Sequence, residues 1–434
     1  MRPRIVRRNI LKRRRLIVVF LLLLAVVAGF FLVGEAKNLA KAAYVASAPR
    51  PTEFPSSPKP DQVCLTWSGD PRTTQAIQWR TAIAVTEGEV QYHAKAQAGG
   101  ENIEAKAESL VLTEPQVKND PSIRHFTAEL TGLAPATAYV YRVGNPQGDS
   151  WSEWAEFSTA PSGAAPFSFV YLGDSQGAGE DWGRLLSRAN ETRPETAFYV
   201  IAGDLVDNGN NHDQWDALLH AGDGLLARHP LVPCLGNHDC SGVGGPRVYL
   251  DSLALPKNGP ETVAPERAYS FTYSNALFVV LDSNSDAKEQ RPWLEKQLSG
   301  ADSTWKFVIY HHPAYSSKAH RDNDDVRKYW CDLFDRYHVD MALQGHDHAY
   351  LRTHPMYGGQ IKTSPSEGTV YVISVSGPKN YPQEQHDYTA AGFVKTSTYQ
   401  IIDIDTKGGN KLTYRAYDAD GKVRDELVIE KAAG

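Results

Sequence analysis

Five short blocks of the 434-residue chain carry side chains that bind metals: Gly173-Asp174-Ser175-Gln176, Gly203-Asp204-Leu205-Val206-Asp207, Gly236-Asn237-His238-Asp239, His311-His312-Pro313 and Gly345-His346-Asp347-His348. Each follows an apolar run that reads as a strand. Carboxylate oxygens, an amide oxygen and imidazole nitrogens are the ligand types that hold a pair of divalent or trivalent cations. One block alone carries little weight, since an Asp after a strand is ordinarily a turn residue or a helix cap. Five in one chain, each at a strand end, point to a two-metal centre and to phosphate-ester hydrolysis.

Two cations ~3.5–4 Å apart need a shared ligand and several terminal ones. Asp204 is the expected bridge. Asp174 is a terminal carboxylate, Asn237 offers a neutral oxygen, and His311, His346 and His348 complete the set. His346 and His348 are two residues apart, so an extended backbone points both the same way. His312 and Asp347 read as supporting groups beside ligands. The expected chemistry is in-line attack by a metal-activated hydroxide. The departing alkoxide then needs a proton. His238 is the expected donor, with phosphate contact as a second role that it shares with Asn237. Asp239 is expected to orient His238.

The elements that must position these groups are legible around them. Apolar runs at 167–172, 198–202, 231–235, 277–282, 305–310 and 341–344 read as buried strands, and 182–189, 214–219, 292–298 and 325–337 as helices. The runs 369–375, 399–404 and 411–417 read as strands without intervening helices. Layered sheets covered by helices, with ligands in loops at strand ends, fit residues 166–434. Residues 61–160 instead show short alternating runs bounded by Gly, Pro, Asp and Asn, the pattern of a β-sandwich. Residues 35–60, rich in Ala, Pro and Ser, read as a semi-extended stalk. Loops 175–185, 207–215, 240–265, 313–325 and 376–395 are expected to form the pocket walls, the last through Tyr381, His386 and Tyr388.

The net charge of -6 is unevenly spread. Eight basic residues and no acidic ones lie in the first 15 positions, leaving the rest with a strong acidic excess. Such a remainder offers no general nucleic-acid-binding surface. Residues 16–34 are an unbroken apolar run, long enough to span a bilayer. The preceding basic cluster holds the N-terminus inside. Residues 1–34 therefore read as a basic tail and signal anchor, giving a membrane-anchored protein with an extracytoplasmic catalytic domain. Secretion after signal cleavage is the alternative, and Arg7-Arg8-Asn9-Ile10-Leu11-Lys12 resembles a twin-arginine export motif. Cys234 and Cys240 flank the third block. They either staple that loop or, like Cys64 and Cys331, are small buried residues.

The blocks resemble those of the calcineurin-like metallophosphoesterases, and most closely the purple acid phosphatases, from about residue 60 onward. The run His346-Asp347-His348-Ala349-Tyr350-Leu351-Arg352 is similar to the family's last block, and a sandwich precedes the catalytic domain in that family too. Leu133-Ala134-Pro135-Ala136-Thr137-Ala138-Tyr139 resembles the corner of fibronectin type III domains, where a tyrosine hydroxyl bonds back to the backbone. Tyr139 is the expected corner residue, with Tyr141 the alternative. The resemblance implies a fibronectin III-like sandwich followed by a four-layer α-β-β-α domain. It implies Asp174, Asp204 and His348 on one metal, and Asp204, Asn237, His311 and His346 on the other.

The chain departs from that pattern at the tyrosine that binds ferric iron, where Asp207 stands. Gln176 occupies a position where some members carry a further ligand. The implied centre is free of tyrosine and takes two ions from Fe, Mn and Zn, with Gln176 a possible ligand and no purple colour. The expected substrate is a small phosphate monoester. A phosphodiesterase acting on nucleotides, glycerophosphodiesters or envelope polymers is the alternative, and a surface binding module with a vestigial site is the reading from another class. The oligomeric state is left open.

Overall fold

The computed structural model describes residues 50–431 except 98–99, 149, 178, 243–244 and 407–409. The basic tail, the apolar run and the start of the stalk lie outside the described residues. Among the described residues, no helix is long and apolar enough to cross a membrane.

The chain divides into two compact units. In the smaller one, residues 1–52 with 114–121, Thr52 N–H donates to Asn119 Oδ1 (2.8 Å) and Asn119 Nδ2 donates back to Thr52 O (3.1 Å). The larger holds residues 53–113 and 122–434, so the expected sandwich and the metal-binding domain form one unit.

Within that unit, one sheet orders Asp61–Thr66, Gln75–Ala82, Ser122–Leu130 and Glu108–Thr113. The facing sheet orders Ile103–Lys106, Glu89–Ala94, Ala138–Asn145 and Ser150–Trp151, with Ala155–Ser158 also paired to Ala138–Asn145. Alternating residues such as Leu65, Ile77, Trp79, Val90, Phe126 and Val143 fill the space between them. Tyr139 is the corner residue: its hydroxyl accepts the Ala134 N–H at 2.9 Å. Tyr141 instead donates to Ala227 O (2.7 Å), reaching into the following domain.

His125 is buried in this sandwich, and burial, with Arg80 beside it, lowers its pKa from 6.5 to about 4. As the pH falls, the unfolded chain takes up this proton first. The stabilisation is complete above pH 6.5 and is lost as the pH drops through 4. The full window corresponds to about 3 kcal/mol. Urea unfolding between pH 7 and 4 should show this decline, and His125→Gln should flatten it. Equal slopes in both proteins would contradict the assignment.

The second domain packs two sheets face to face. One runs Leu231–Cys234, Tyr199–Ala202, Phe167–Leu172, Thr398–Asp405, Asn410–Asp418 and Val423–Lys431. The other runs Tyr269–Tyr273, Ala276–Val280, Trp305–Ile309, Met341–Gln344, Val370–Ile373, Tyr350–Thr353 and Thr389–Phe393. An aromatic stack of Phe169, Phe198, Phe278 and Phe307 joins the two inner faces. Helices Glu180–Thr192 and His212–Ala221 contribute Trp182, Leu186, Trp215 and Leu219 to the first sheet's core. Helix Ala287–Ser299 and the helical segment from Asp324 to Arg336, with a π turn over Arg327–Cys331, cover the second sheet. This is the expected α-β-β-α order. Trp67, at the end of the sandwich's first strand, packs into the same core against Phe198 and Phe271.

Candidate metal centre

The ligand-bearing loops follow strands that run parallel in each sheet. Phe167–Leu172, Tyr199–Ala202 and Leu231–Cys234 lead to Asp174, Asp204 and Asn237. Trp305–Ile309 and Met341–Gln344 lead to His311 and to His346 and His348. Parallel strands end on the same side, so all six side chains gather at one edge of the double sheet.

The backbone there is unusual. Asp174 and Asp204 (both φ 51°), His346 (φ 77°) and His348 (φ 46°) all sit in the left-handed region. Each such residue costs on the order of 1–3 kcal/mol and persists only where its surroundings enforce it. Gly203 (φ 81°) and Gly236 permit the close approach. A Cβ on Gly203 would lie 2.6 Å from His311 Nδ1, and one on Gly236 would lie 2.1 Å from Asp204 Oδ1.

The side chains converge. His311 Nε2 lies 3.2 Å from Asp204 Oδ2, 3.3 Å from Asn237 Oδ1 and 3.2 Å from His346 Nδ1. His346 Nδ1 is 2.9 Å from Asn237 Oδ1. On the other side of Asp204, His348 Nε2 lies 3.8 Å from Asp174 Oδ1. The side chains expected from the sequence to hold metals are therefore brought together around Asp204. Further contacts hold them in place. His311 Nδ1 donates to Ala202 O (2.9 Å), which leaves Nε2 facing the centre. The His346 N–H donates to Asp174 Oδ2 (2.7 Å), and the His238 N–H to Asp204 Oδ1 (2.8 Å).

This donor set fits cations. Asp174 Oδ1 and His348 Nδ1 are buried without a hydrogen-bond partner. Burial drives the Asp174 carboxyl well above its ordinary range. Burial also opposes a charge on His311, but the neighbouring Asp204 and Asp174 carboxylates prevail and raise it to about 10. The two buried carboxylates thus draw positive charge to the cradle, here a proton on His311, and metal ions would supply it in the proton's place.

One residue falls differently from the sequence reading. Asp239 does not orient the His238 ring. It is fully buried, where Oδ1 accepts from Leu205 N (2.9 Å) and Val206 N (3.2 Å) and Oδ2 from Gly236 N (2.8 Å). It ties the second block to the third. Burial, reinforced by Asp204, raises it to about 7. The His238 ring is held instead by the main chain, with Nδ1 donating to Asp207 O at 2.8 Å. The Gln176 side-chain amide lies against Asp204, 3.2 Å from Oδ2 and 3.1 Å from the main-chain oxygen, within reach of the same centre. Asp239→Ala should leave three buried N–H groups unpaired, at about 1–3 kcal/mol each. Urea unfolding of the metal-free protein should then show a loss of about 3 kcal/mol or more, and a loss below about 1 kcal/mol would contradict the bracing role.

Cys234 and Cys240 are free thiols, as are Cys64 and Cys331, so no staple closes the third loop. His312 lies beside the ligands. Its Nδ1 is 2.9 Å from Ser283 Oγ and its ring 4.5 Å from that of His346. Asp347 is a buried support that accepts from Ser317 N (2.5 Å) and Arg321 Nε (2.9 Å). Sequence reasoning missed Arg321 and Lys379 as individual residues, although both fall in loops assigned to the pocket walls. Each lies 5.4 Å from the ring of Tyr381, which packs on His348 with centroids 4.8 Å apart. A cavity of about 290 Å³ between loops 175–185 and 207–215 is lined by Ser175, Trp182, Val206, Asp207 and Gln214, among others, but by none of the six candidate ligands.

Comparison with known proteins agrees with this architecture. Residues 60–159 match the family described as purple acid phosphatase, N-terminal domain, and residues 167–350 match the calcineurin-like phosphoesterase family. An uncharacterized protein of Mycobacterium tuberculosis is 26% identical over 327 residues, covering 66% of this chain and 60% of that protein. The Fe(3+)-Zn(2+) purple acid phosphatase 12 of Arabidopsis thaliana is 26% identical over 322 residues, 69% of this chain and 66% of its own. The chain thus spans just under two thirds of these relatives' length. The structure of purple acid phosphatase PPD1 from yellow lupin seeds superposes with a TM-score of 0.71 at 18% identity, over 86% of this chain and 75% of that one, which shows a shared fold. Residues 167–350 thus form a calcineurin-like phosphoesterase domain, preceded at residues 60–159 by the N-terminal domain of the purple acid phosphatase type.

Proposed function

We propose that the protein hydrolyses small phosphate monoesters at a two-metal centre. The observation that carries this reading is the approach of Asp204 Oδ2, Asn237 Oδ1 and His346 Nδ1 to within 3.3 Å of His311 Nε2, beside Asp174 and His348. Asp174, Asp204 and His348 would hold one ion, and Asp204, Asn237, His311 and His346 the other. When bound, the ions supply Lewis acidity that makes hydroxide available near neutral pH and offsets phosphate charge. Asp204 ties the two groups together, and the His238 N–H fixes its carboxylate. His238 stands next to Asn237 with Nδ1–H committed to Asp207 O, so Nε2 is the atom that meets the substrate. It either protonates the leaving oxygen or contacts the phosphate. The apolar run 16–34 supports a membrane-anchored, extracytoplasmic placement.

The test is turnover of 4-nitrophenyl phosphate against bis(4-nitrophenyl) phosphate by the full chain, with Mn, Zn or Fe added and Asn237→Ala as control. Metal-dependent monoester turnover that the control loses is expected. Diester preference would move the protein to the phosphodiesterases, and no turnover of either would favour a binding role. With Asp207 in place of a tyrosine, the iron-loaded protein should lack a visible phenolate-to-iron band. A purple preparation would contradict a tyrosine-free centre.

A further inference from the structure

We infer that the sandwich domain positions His238, acting through Arg80, Asp216 and the helix His212–Ala221. This rests on the reading of His238 as proton donor. Arg80, on the sandwich strand Gln75–Ala82, is almost wholly buried. Its guanidinium grips Asp61 through Nε (2.9 Å) and Nη2 (2.7 Å), and its Nη1 reaches Asp216 Oδ1 at 2.9 Å on that helix. Gln62, also from the sandwich, donates to the same carboxylate oxygen (3.1 Å).

The helix in turn holds the segment that orients His238. Trp215 Nε1 donates to Gly209 O (3.0 Å), and Gln214 Oε1 accepts from Asn208 N (2.8 Å). From the other side, Gly209 N donates to His238 O (3.0 Å), and Asp207 O receives the His238 Nδ1 proton. The segment has no slack, since a Cβ on Gly209 would lie 1.7 Å from Asp239 O.

Apolar contacts such as Trp67 on Phe198 suffice to attach one domain to the other, but they are non-directional. The buried Arg80–Asp216 ion pair and the Gln62 hydrogen bond to the same carboxylate add a specific short-range link. It is aimed at the one helix that carries the His238 support. The sandwich therefore sets where the His238 ring stands.

The experiment uses the full, metal-loaded chain and compares an alkyl phosphate, whose leaving group needs a proton, with 4-nitrophenyl phosphate, whose leaving group does not. Trp215→Phe removes the helix-to-loop hydrogen bond, and Asp216→Asn removes the charge facing Arg80. Each should lower kcat on the alkyl substrate, by on the order of tenfold for Trp215→Phe and less for Asp216→Asn. KM, metal content and 4-nitrophenyl turnover should stay nearly unchanged. In a His238→Ala background neither change should lower alkyl turnover further. Equal losses on both substrates, or additive losses with His238→Ala, would overturn the inference. If His238→Ala discriminates between the substrates and the other two variants do not, the sandwich role alone fails. If His238→Ala does not discriminate, the proton-donor reading fails and takes this inference with it.

Discussion

Asp204→Asn should deplete the centre of metal and reduce kcat on 4-nitrophenyl phosphate by more than about 10³-fold. The carboxylate faces both candidate groups. Oδ2 faces His311 Nε2 at 3.2 Å and Oδ1 accepts the His238 N–H at 2.8 Å, while Asp174 and His348 lie on its other side. Losing a group that merely supports a ligand typically costs 10–100-fold in metal affinity or activity. Losing a ligand common to both groups should cost more, because one group would lose its oxygen donor from residue 204 and both would lose its negative charge. Asparagine keeps the shape and one oxygen, so the fold should survive. Elemental analysis should find fewer ions per chain than in wild type, and added metal should no longer raise the melting temperature. A variant that keeps two ions per chain and turns over within tenfold of wild type would mean that Asp204 is not the shared ligand.

His238→Ala should leave metal content unchanged and lower kcat by about 10²–10⁴-fold on alkyl phosphates, the usual contribution of a positioned proton donor. On 4-nitrophenyl phosphate the loss should be much smaller, because 4-nitrophenolate leaves without help. The ring can act this way because Nδ1 is committed to Asp207 O, so the opposite nitrogen is presented to substrate. A rise in KM with kcat unchanged would instead assign His238 to uniform phosphate binding. Because the imidazole is tethered by a main-chain carbonyl, Asp239→Asn should not reproduce the leaving-group selectivity of His238→Ala, even though it destabilises the loops.

The ligand residues were legible because their signals are local. A buried parallel strand reads as an apolar run, and the residue that matters stands just past its end, often beside a glycine that allows close approach. Asp174, Asp204, Asn237, His311, His346 and His348 could be named this way, and the order of strands and helices with them. The Tyr139 corner was readable for the same reason, since its partner Ala134 is five residues away. Strands without such a pattern escaped notice. Val423–Lys431 is a largely exposed edge strand whose charged residues cluster at 424–426 and 430–431, and Glu108–Thr113 is largely exposed. Helix Ala287–Ser299 was read as starting at Pro292, because proline favours a first turn. Asp286, which accepts the Lys288 N–H, starts it five residues earlier.

What the sequence by itself determined was the inventory: a metal-binding set of the right chemistry, on strand ends, behind a β-sandwich. Only the tertiary structure decided which groups meet. Asp239 turns inward to three backbone N–H groups, because a buried turn must satisfy its donors. Asp207 orients His238 through its carbonyl, an atom every residue type carries. Arg80 meets Asp216 across 136 positions of chain because two domains pack as one unit. Residue types and short spacings carry ligand chemistry, whereas partnerships between distant backbone and side-chain atoms exist only once the chain has folded.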